Sequence, residues 1–269
     1  MEKIIEINDL TFNYGKKKLF NNLNLDINKG TFITILGTNG SGKSTLAKIL
    51  LGIIPTENFI MINGLNLNNN SIKKLRKDIG FSLENPNESI IMDTVIDDII
   101  FSVNSSSISK KSIDMDINNV LKELGLDQFL YQNPKTLSDG QKQLVVFTSI
   151  LIIKPKLVIL DDSFSMLDNL VKDKMFKLLK KLNNEQGVTV INFTSDIEES
   201  LYGKEIAVLD KGSIIFKDKK IDFFKNKNIF KHLEIDKPFL VELSTKLNYY
   251  NLFDDIILDM DKMVNKLWK

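Results

Sequence analysis

Gly37-Thr38-Asn39-Gly40-Ser41-Gly42-Lys43-Ser44 decides the fold because of what stands on either side of it. Before it runs Thr31–Leu36, an apolar stretch with β-branched residues that reads as a buried strand. After it runs Lys43–Leu51, which reads as a helix. The stretch fits the pattern G-x-x-x-x-G-K-[ST] without a mismatch, and in the strand–loop–helix setting that pattern requires. Its glycines let successive backbone N–H groups turn inward around phosphate oxygens, and the helix N-terminus adds a partial positive charge. In such a loop Lys43 reaches the outer phosphates of a nucleotide and Ser44 ligates Mg²⁺. Gly37, Thr38, Asn39, Gly40, Ser41, Gly42, Lys43, Ser44 and Thr45 are therefore candidate nucleotide-binding residues.

A second buried strand is Leu157-Val158-Ile159-Leu160, closed by Asp161-Asp162. Ligands of parallel sheets sit at the carboxyl ends of strands. Asp161 is thus placed to hold Mg²⁺, mostly through water, and Asp162 stands where a base for an attacking water belongs.

Outward from these two strands the pattern alternates. Strands are expected at Lys3–Asn8, Asn24–Ile27, Glu57–Asn63, Asp78–Leu83 and Val188–Phe193, and a hairpin at Glu205–Asp210 and Ser213–Lys217, turning at Lys211-Gly212. Helices are expected at Thr94–Asn104, Ser112–Leu124, Asp139–Ile153 and Leu170–Asn184, with Ser105–Lys111 a polar linker. Residues 87–153 read as a mostly helical insertion into an α/β domain whose sheet is mostly parallel and flanked by helices on both faces. After about Lys225 the strand pattern is lost. Phe253, Ile256, Ile257, Met260, Met263, Val264 and Leu267 recur at spacings of three and four, one apolar stripe of a helix, and Leu240, Val241, Leu243 and Leu247 suggest a second. These tail stripes either pack on the main domain or form a dimer contact, and Trp268 would cover the first.

Composition narrows the function classes. The chain has 269 residues, 43% hydrophobic and 26% charged, which excludes a disordered tail, a fibrous repeat and an integral membrane protein. Its 36 basic and 35 acidic residues leave a net charge of +1, so no strong field selects nucleic acid or an anionic membrane. Cys is absent, which removes disulfides, thiol catalysis and Cys-ligated zinc. Arg76 is the sole arginine, so a bidentate arginine clamp on phosphate is hardly available. Met1-Glu2-Lys3 leads straight into a strand pattern unlike a signal peptide, and Leu144–Leu160 is interrupted by Lys154 and Lys156. A cytosolic chain is expected, with membrane contact only through a partner.

Leu137-Ser138-Asp139-Gly140-Gln141 resembles the signature motif, usually LSGGQ, of ATP-binding cassette (ABC) proteins, and it precedes the Asp161 strand as that family requires. Tyr14 resembles the aromatic that stacks on adenine, Glu84-Asn85-Pro86 the Gln-loop, and Ser165-Met166-Leu167-Asp168 the D-loop, while Ser195 falls at the switch-histidine position. The likeness covers residues 1 to about 220. Ile229-Phe230-Lys231-His232-Leu233 and Asp236–Leu243 are similar to the C-terminal extension of ATPase subunits of energy-coupling factor (ECF) transporters, as is Asn85-Pro86-Asn87-Glu88 after the Gln-loop.

The resemblance implies a phosphate-loop nucleotide triphosphatase of the ABC type, with antiparallel N-terminal strands, over residues 1–225, and a small helical extension over 226–269. ATP and Mg²⁺ are its implied ligands. It implies two ATPase chains facing head to tail, with Ser138, Gly140 and Gln141 of one completing the site on the phosphate loop of the other. It further implies a membrane-embedded coupling subunit, a separate substrate-binding membrane subunit, a place on the cytoplasmic face of the membrane, and import of a vitamin or a transition metal ion. Nucleic acid is not an expected partner.

Departures from the family pattern cluster on the hydrolytic groups. Asp162 replaces the catalytic glutamate, Ser195 the switch histidine and Glu84 the Gln-loop glutamine, where its carboxylate either ligates the metal or repels the nucleotide. Asp139 replaces a signature glycine, and Leu144 the arginine after the motif. A displacement of ~1 Å can cost roughly a hundredfold in rate. The expectation is a site that holds ATP but turns it over slowly, in a heterodimer whose productive site lies on the other chain. The competing readings are a regulatory ATP-binding subunit and a soluble ABC ATPase of nucleic acid or ribosomes. His232 reads as a surface or tail-packing residue, and Asp93, Asp97 and Asp98 as acids at a helix N-terminus.

Overall fold

A computed structural model describes residues 2–106 and 120–268. A six-stranded sheet forms its centre: β6 (Ile79–Ser82), β7 (Leu157–Asp161), β8 (Thr189–Thr194), β3 (Phe32–Leu36), β9 (Glu205–Asp210) and β10 (Ser213–Lys219), in that spatial order. All neighbours are parallel except the β9–β10 hairpin. A second, antiparallel sheet joins β2 (Lys17–Asn28), β1 (Lys3–Tyr14), β4 (Ile60–Ile62) and β5 (Leu65–Asn66).

β3, β7 and β8 are almost entirely apolar or β-branched, Asn192 and the terminal Asp161 apart, because helices or strands cover both of their faces. Side-chain alternation then divides each strand between two cores. Ile33 and Ile35, Leu157 and Ile159, and Ile191 and Phe193 face the antiparallel sheet across α1 (Lys43–Leu50), which is buried between the sheets through Leu46, Ala47, Ile49 and Leu50. Phe32, Val158, Leu160 and Val190 face the other way, onto α4 (Asp139–Ile153) and α5 (Asn169–Gln186). There Phe164 meets Phe147 and Phe176 edge-on at centroid separations of 5.4 and 5.1 Å.

Between β6 and β7 the described residues are helical or irregular. They include α3 (Val95–Asn104), residues 120–124 and α4, while α2 (Ile72–Arg76) lies just before β6. The expected linker Ser105–Lys111 and helix Ser112–Leu124 fall largely outside the described residues. Thr94 caps α3 by accepting the Asp97 N–H at 3.2 Å. Asp98 is buried and accepts the N–H groups of Ile91 and Met92 at 2.8 and 3.1 Å, so these acids serve the helix entry.

The tail differs from the sequence expectation. α6 (Lys220–Lys225) and α7 (Lys227–Leu233) cover β9 with Phe223, Phe224 and Phe230, and α8 (Phe239–Tyr249) is the helix read from Leu240–Leu247. The stripe from Phe253 to Leu267 is not one helix. Residues 254–258 are irregular, and only α9 (Met260–Leu267) is helical. Phe253 and Met263 pack with Leu240, while Ile256 and Leu258 pack onto the α6–α7 aromatics. Asp259 breaks the period because its carboxylate caps α9, accepting the Lys262 N–H at 3.0 Å. Trp268 covers nothing; it is 84% exposed. His232 lies on the surface with Nε2 3.0 Å from Asp210. No helix among the described residues is long and apolar enough to cross a membrane.

The hairpin turn at Lys211-Gly212 touches the phosphate loop, where the Gly212 N–H donates to the Ser41 carbonyl at 3.3 Å. Gly212 has φ +77°, and a Cβ there would lie 1.7 Å from the Leu19 carbonyl oxygen. Gly212→Ala is therefore expected to destabilise the fold by about 2–5 kcal/mol, the sum of an overpacking clash and a left-handed backbone. Gly40→Ala, with φ +83° but open space around it, meets no such clash and should cost about 1–2 kcal/mol. Denaturant melts of the two variants check the difference.

Candidate nucleotide site

β3 and β7 end level with one another because β8 lies between them in register, Leu36 opposite Thr194 and Asp161 opposite Phe193. The Gly37 N–H donates to the Thr194 carbonyl at 3.2 Å, and the Asp162 N–H to the Phe193 carbonyl at 2.9 Å. The phosphate loop and the aspartate pair thus hang from consecutive residues of one strand. A cleft of about 390 Å³ opens above them, lined by Tyr14, Leu19, Asn39, Gly40, Gly42, Lys43, Ser44, Thr45, Glu84 and Asp162.

The loop itself is shaped by glycine. A Cβ on Gly37 would lie 2.5 Å from Ser41 Oγ and 2.6 Å from the Leu209 carbonyl oxygen. Gly42 stands at the N-cap of α1 with φ +110° and offers no side-chain acceptor, and the first turn carries no acid. The first N–H groups of α1 are therefore left for an anion. Ser41 Oγ is buried without a hydrogen-bond partner among the described residues. Lys43 is almost wholly buried; its Nζ donates to the carbonyls of Gly37 at 3.0 Å and Thr38 at 3.4 Å and lies 3.6 Å from Asp162 Oδ2.

Ser44 Oγ donates to Asp161 Oδ1 at 3.0 Å, joining the two groups read as metal ligands. Burial pushes the Asp161 carboxyl up to about 6; Ser44 and Lys43 oppose this, and Asp162 and Glu84 add to it. Asp162 has a left-handed backbone, φ +44°, which Asp tolerates better than most residues. Its Oδ1 accepts the Ser195 N–H at 3.0 Å and lies 3.5 Å from Ser195 Oγ. Both oxygens of Asp162 are thus engaged, one by Ser195 and one by Lys43. Tyr14 stands at the rim, 53% exposed, with Phe12 edge-on at 5.0 Å and its hydroxyl 3.5 Å from Thr45 Oγ1. Glu84 lines the same cleft from an exposed position.

The signature residues do not line this cleft. Ser138 and Gln141 form a capping box at the start of α4: the Gln141 N–H donates to Ser138 Oγ at 3.3 Å, and the Ser138 N–H to Gln141 Oε1 at 2.9 Å. Gly140 lies against the D-loop, where a Cβ would meet Leu167 Cδ2 at 3.4 Å and the Met166 carbonyl oxygen at 3.5 Å. Asp139 points to solvent beside Lys142, at 3.2 Å. Asp168 caps α5 through the N–H groups of Leu170 and Val171, both at 3.0 Å.

Sequence reasoning missed a buried polar bridge. Gln143, 2% exposed, donates from Nε2 to Ser82 Oγ at 2.5 Å and to the Leu83 carbonyl at 3.2 Å. Ser163 Oγ donates to the Ser82 carbonyl at 2.6 Å and accepts the Asp161 N–H at 3.1 Å. The end of β6, just before Glu84, is therefore fastened both to the signature helix and to the exit of β7. An amide among the apolar residues of α4 was the one available signal. A second missed cluster joins Lys172 to Asp196 at 2.9 Å and to Glu199 at 3.4 Å, with Asn192 donating to Glu199 at 2.9 Å. It ties α5 to the turn that follows Ser195.

The raised Asp161 carboxyl fixes a pH dependence. Between about 4 and 6 the folded chain holds a proton there that the unfolded chain has released, so stability falls as pH rises through that window. Asp161→Asn should remove this slope and leave the metal-free chain more stable above pH 6, by at most about 3 kcal/mol. Thermal melts from pH 4 to 7.5, wild type against variant, measure it; a parallel pair of curves would contradict the assignment.

The profile of the ABC transporter family matches residues 20–165. The energy-coupling factor transporter ATP-binding protein of Lactobacillus gasseri is 36% identical over 252 residues, 91% of this chain and 88% of that protein. The protein of the same name from Mycoplasma mobile is 33% identical over 269 residues, 99% of this chain and 97% of that one. Among solved structures, cbiO1 of Clostridium perfringens, part of the ABC transporter complex cbiONQ, aligns with a TM-score of 0.72 at 28% identity, covering 87% of this chain and 95% of that one. The dimeric ATP-binding cassette MJ0796, bound to ADP and Pi, aligns with a TM-score of 0.71 at 28% identity, over 80% of this chain and 98% of that one. A family match across half the chain, joined to likeness along nearly its whole length, places the chain among the ATPases of the ABC transporter family.

Proposed function

We propose that this chain is the ATP-binding and hydrolysing subunit that energises an ECF-type importer of a micronutrient, a vitamin or a transition metal ion, and that it is the partly degenerate half of an ATPase heterodimer. The observation that carries the reading is the meeting of Lys43 and Ser44 with Asp161 and Asp162 across β8, in a cleft rimmed by Tyr14. The uncapped start of α1 and the glycines of the loop suit a triphosphate, with Tyr14 against the adenine. Ser44 and Asp161 would hold Mg²⁺, with Glu84 in reach of the same cleft. The metal would neutralise charge on the outer phosphates.

Asp162 is the group to accept a proton from the attacking water, and its engagement by Ser195 and Lys43 favours slow turnover. With no imidazole at position 195, Ser195 can only hydrogen-bond. In the partner's site this chain would supply its signature, Ser138, Gly140 and Gln141, and the exposed D-loop residue Met166, 62% exposed. Residues 1–225 would form the cassette, with 87–153 as its helical subdomain; 226–269 would form the extension, whose exposed Met260, Val264 and Leu267 suit a dimer contact. An apolar groove of about 380 Å³, lined by Phe81, Ile91, Phe101 and Val146, suits helices of a membrane-embedded coupling subunit. A substrate-binding membrane subunit would complete the assembly, with this chain peripheral on the cytoplasmic face. The same engagement of Asp162 favours a second reading, a regulatory ATP-binding subunit with little turnover of its own.

Lys43→Ala in the reconstituted complex should lower ATP binding at this chain but leave overall hydrolysis within about tenfold of wild type, whereas the equivalent change in the partner should cost a hundredfold or more. Asp162→Ala, measured beside it, should lower turnover by less than the 10² expected for loss of an active general base. A larger loss would show that the shorter carboxylate works and that the two sites are equal.

A further inference from the structure

Away from the nucleotide cleft, a concavity of about 470 Å³ opens where α5, the start of α6 and the tail meet. Four lysines surround it: Lys180 from α5, Lys220 from α6, and Lys262 and Lys266 from α9. Ile256, Ile257 and Leu258 form its apolar side. Among the described residues Asp259 is the one acid lining it, and its Oδ1 is occupied by the Lys262 N–H.

These cations come from three segments distant in sequence, so their meeting is a product of tertiary packing and not of a charge run. Lys180 and Lys262 have no carboxylate within ion-pair distance among the described residues. Lys220 is half-buried, with its Nζ donating to the Leu201 carbonyl. Burial, with Lys180 and Lys262 facing it, lowers its pKa to about 8, against the pull of Asp259. Lys266 leans over the Phe253 ring at 5.2 Å and is 3.4 Å from the exposed Asp254. At the edge, Lys177 is already paired with Asp173 at 2.8 Å. Gathering four lysines with so little counter-charge opposes folding, and a multivalent anion turns the mutual repulsion of those lysines into attraction.

We propose that this pocket binds a phosphate-class oxyanion of two or more negative charges, held by Lys180, Lys220 and Lys262, with Ile256–Leu258 beside any organic substituent. The bound anion fastens residues 254–267 to α5, the helix that starts at the D-loop Asp168. Free phosphates and the headgroups of anionic lipids share this chemistry.

The test uses the full chain carrying Lys43→Ala, which removes the main attraction of the phosphate loop for anions. Pyrophosphate is titrated by calorimetry at pH 8, and flotation with phosphatidic acid vesicles, against phosphatidylcholine vesicles, tests the lipid source. One pyrophosphate per chain should bind, with proton uptake by Lys220 read from the dependence of the heat on buffer. Lys180→Glu and Lys262→Glu, both on exposed helix positions, should each weaken binding about tenfold or more. Lys220→Met should do the same and abolish the proton uptake, with circular dichroism melts confirming that it folds. Vesicle binding lost in the same variants, without pyrophosphate binding, would assign the site to a lipid headgroup. Absence of binding to both probes, or binding indifferent to the charge reversals, overturns the proposal.

Discussion

The end of β8 is the peg on which the site hangs. Its last two carbonyls receive the N–H of Gly37 from one side and that of Asp162 from the other. Strands lie about 4.8 Å apart, so the exits of β3 and β7 are separated by about 10 Å. That is a distance which Ser44, the second residue of α1, closes to 3.0 Å at Asp161. A slip of one residue in either pairing would send the alternate side chains of β8 into the wrong core, Val190 for Ile191. The hydrophobic pattern that builds the two cores therefore also sets the distance between phosphate loop and carboxylates.

Charge in the cleft is unbalanced by design. Lys43 is the one cation lining it among the described residues, against Glu84 and Asp162 in the lining and Asp161 beneath. The only arginine cannot help, because Arg76 is used at the far end of α1. There its Nε and Nη2 donate to the carbonyls of Leu51 and Gly52 at 3.1 and 3.2 Å, satisfying the helix C-terminus. Three carboxylates facing one lysine repel a bare triphosphate, and the Asp161 carboxyl, raised chiefly by its burial, is pushed further in the same direction by Asp162 and Glu84. A divalent cation arriving with the nucleotide resolves both problems, since it gives Asp161 a reason to ionise and offsets Glu84.

Much of the fold was legible because its signals are local or periodic. The phosphate loop, the closed run ending in Asp161-Asp162 and the α4 span Asp139–Ile153 are all read from contiguous residues. β1 and β2 run well beyond their expected lengths, since Asp9 and Asn22, both with positive φ, mark irregularities in a ladder that the polar residues around them conceal. The tail stripe misled because a helical period continued in residues that bury themselves as an irregular segment, Ile256 and Leu258 going to one cluster and Phe253 and Ile257 to another. Gln143 and the Lys172–Asp196–Glu199 cluster were invisible for a different reason. Their partners lie on other elements, and nothing in a single chain's spacing says which buried amide finds which carbonyl.

The bridge through Gln143 gives the proposed coupling a physical route. α4 carries the signature residues at its first turn and, along its length, Val146, Ser149, Ile150 and Ile153, which line the apolar groove. A helix of 15 residues is a stiff rod of about 22 Å. A partner helix seated in the groove would press on that rod and on β6, and both are pinned at the level of Leu83 by Gln143. From there Ser163 passes the constraint to Asp161, and Leu167 and Met166 pass it to Gly140. Buried hydrogen bonds of this kind resist being broken one at a time, because each loss leaves a dry polar group. The groove, the Glu84 loop and the signature are consequently linked, through β6 and β7, to the same sheet from which the phosphate loop hangs. That chain of contacts ends in the cleft itself, where Ser44 and Asp161 meet.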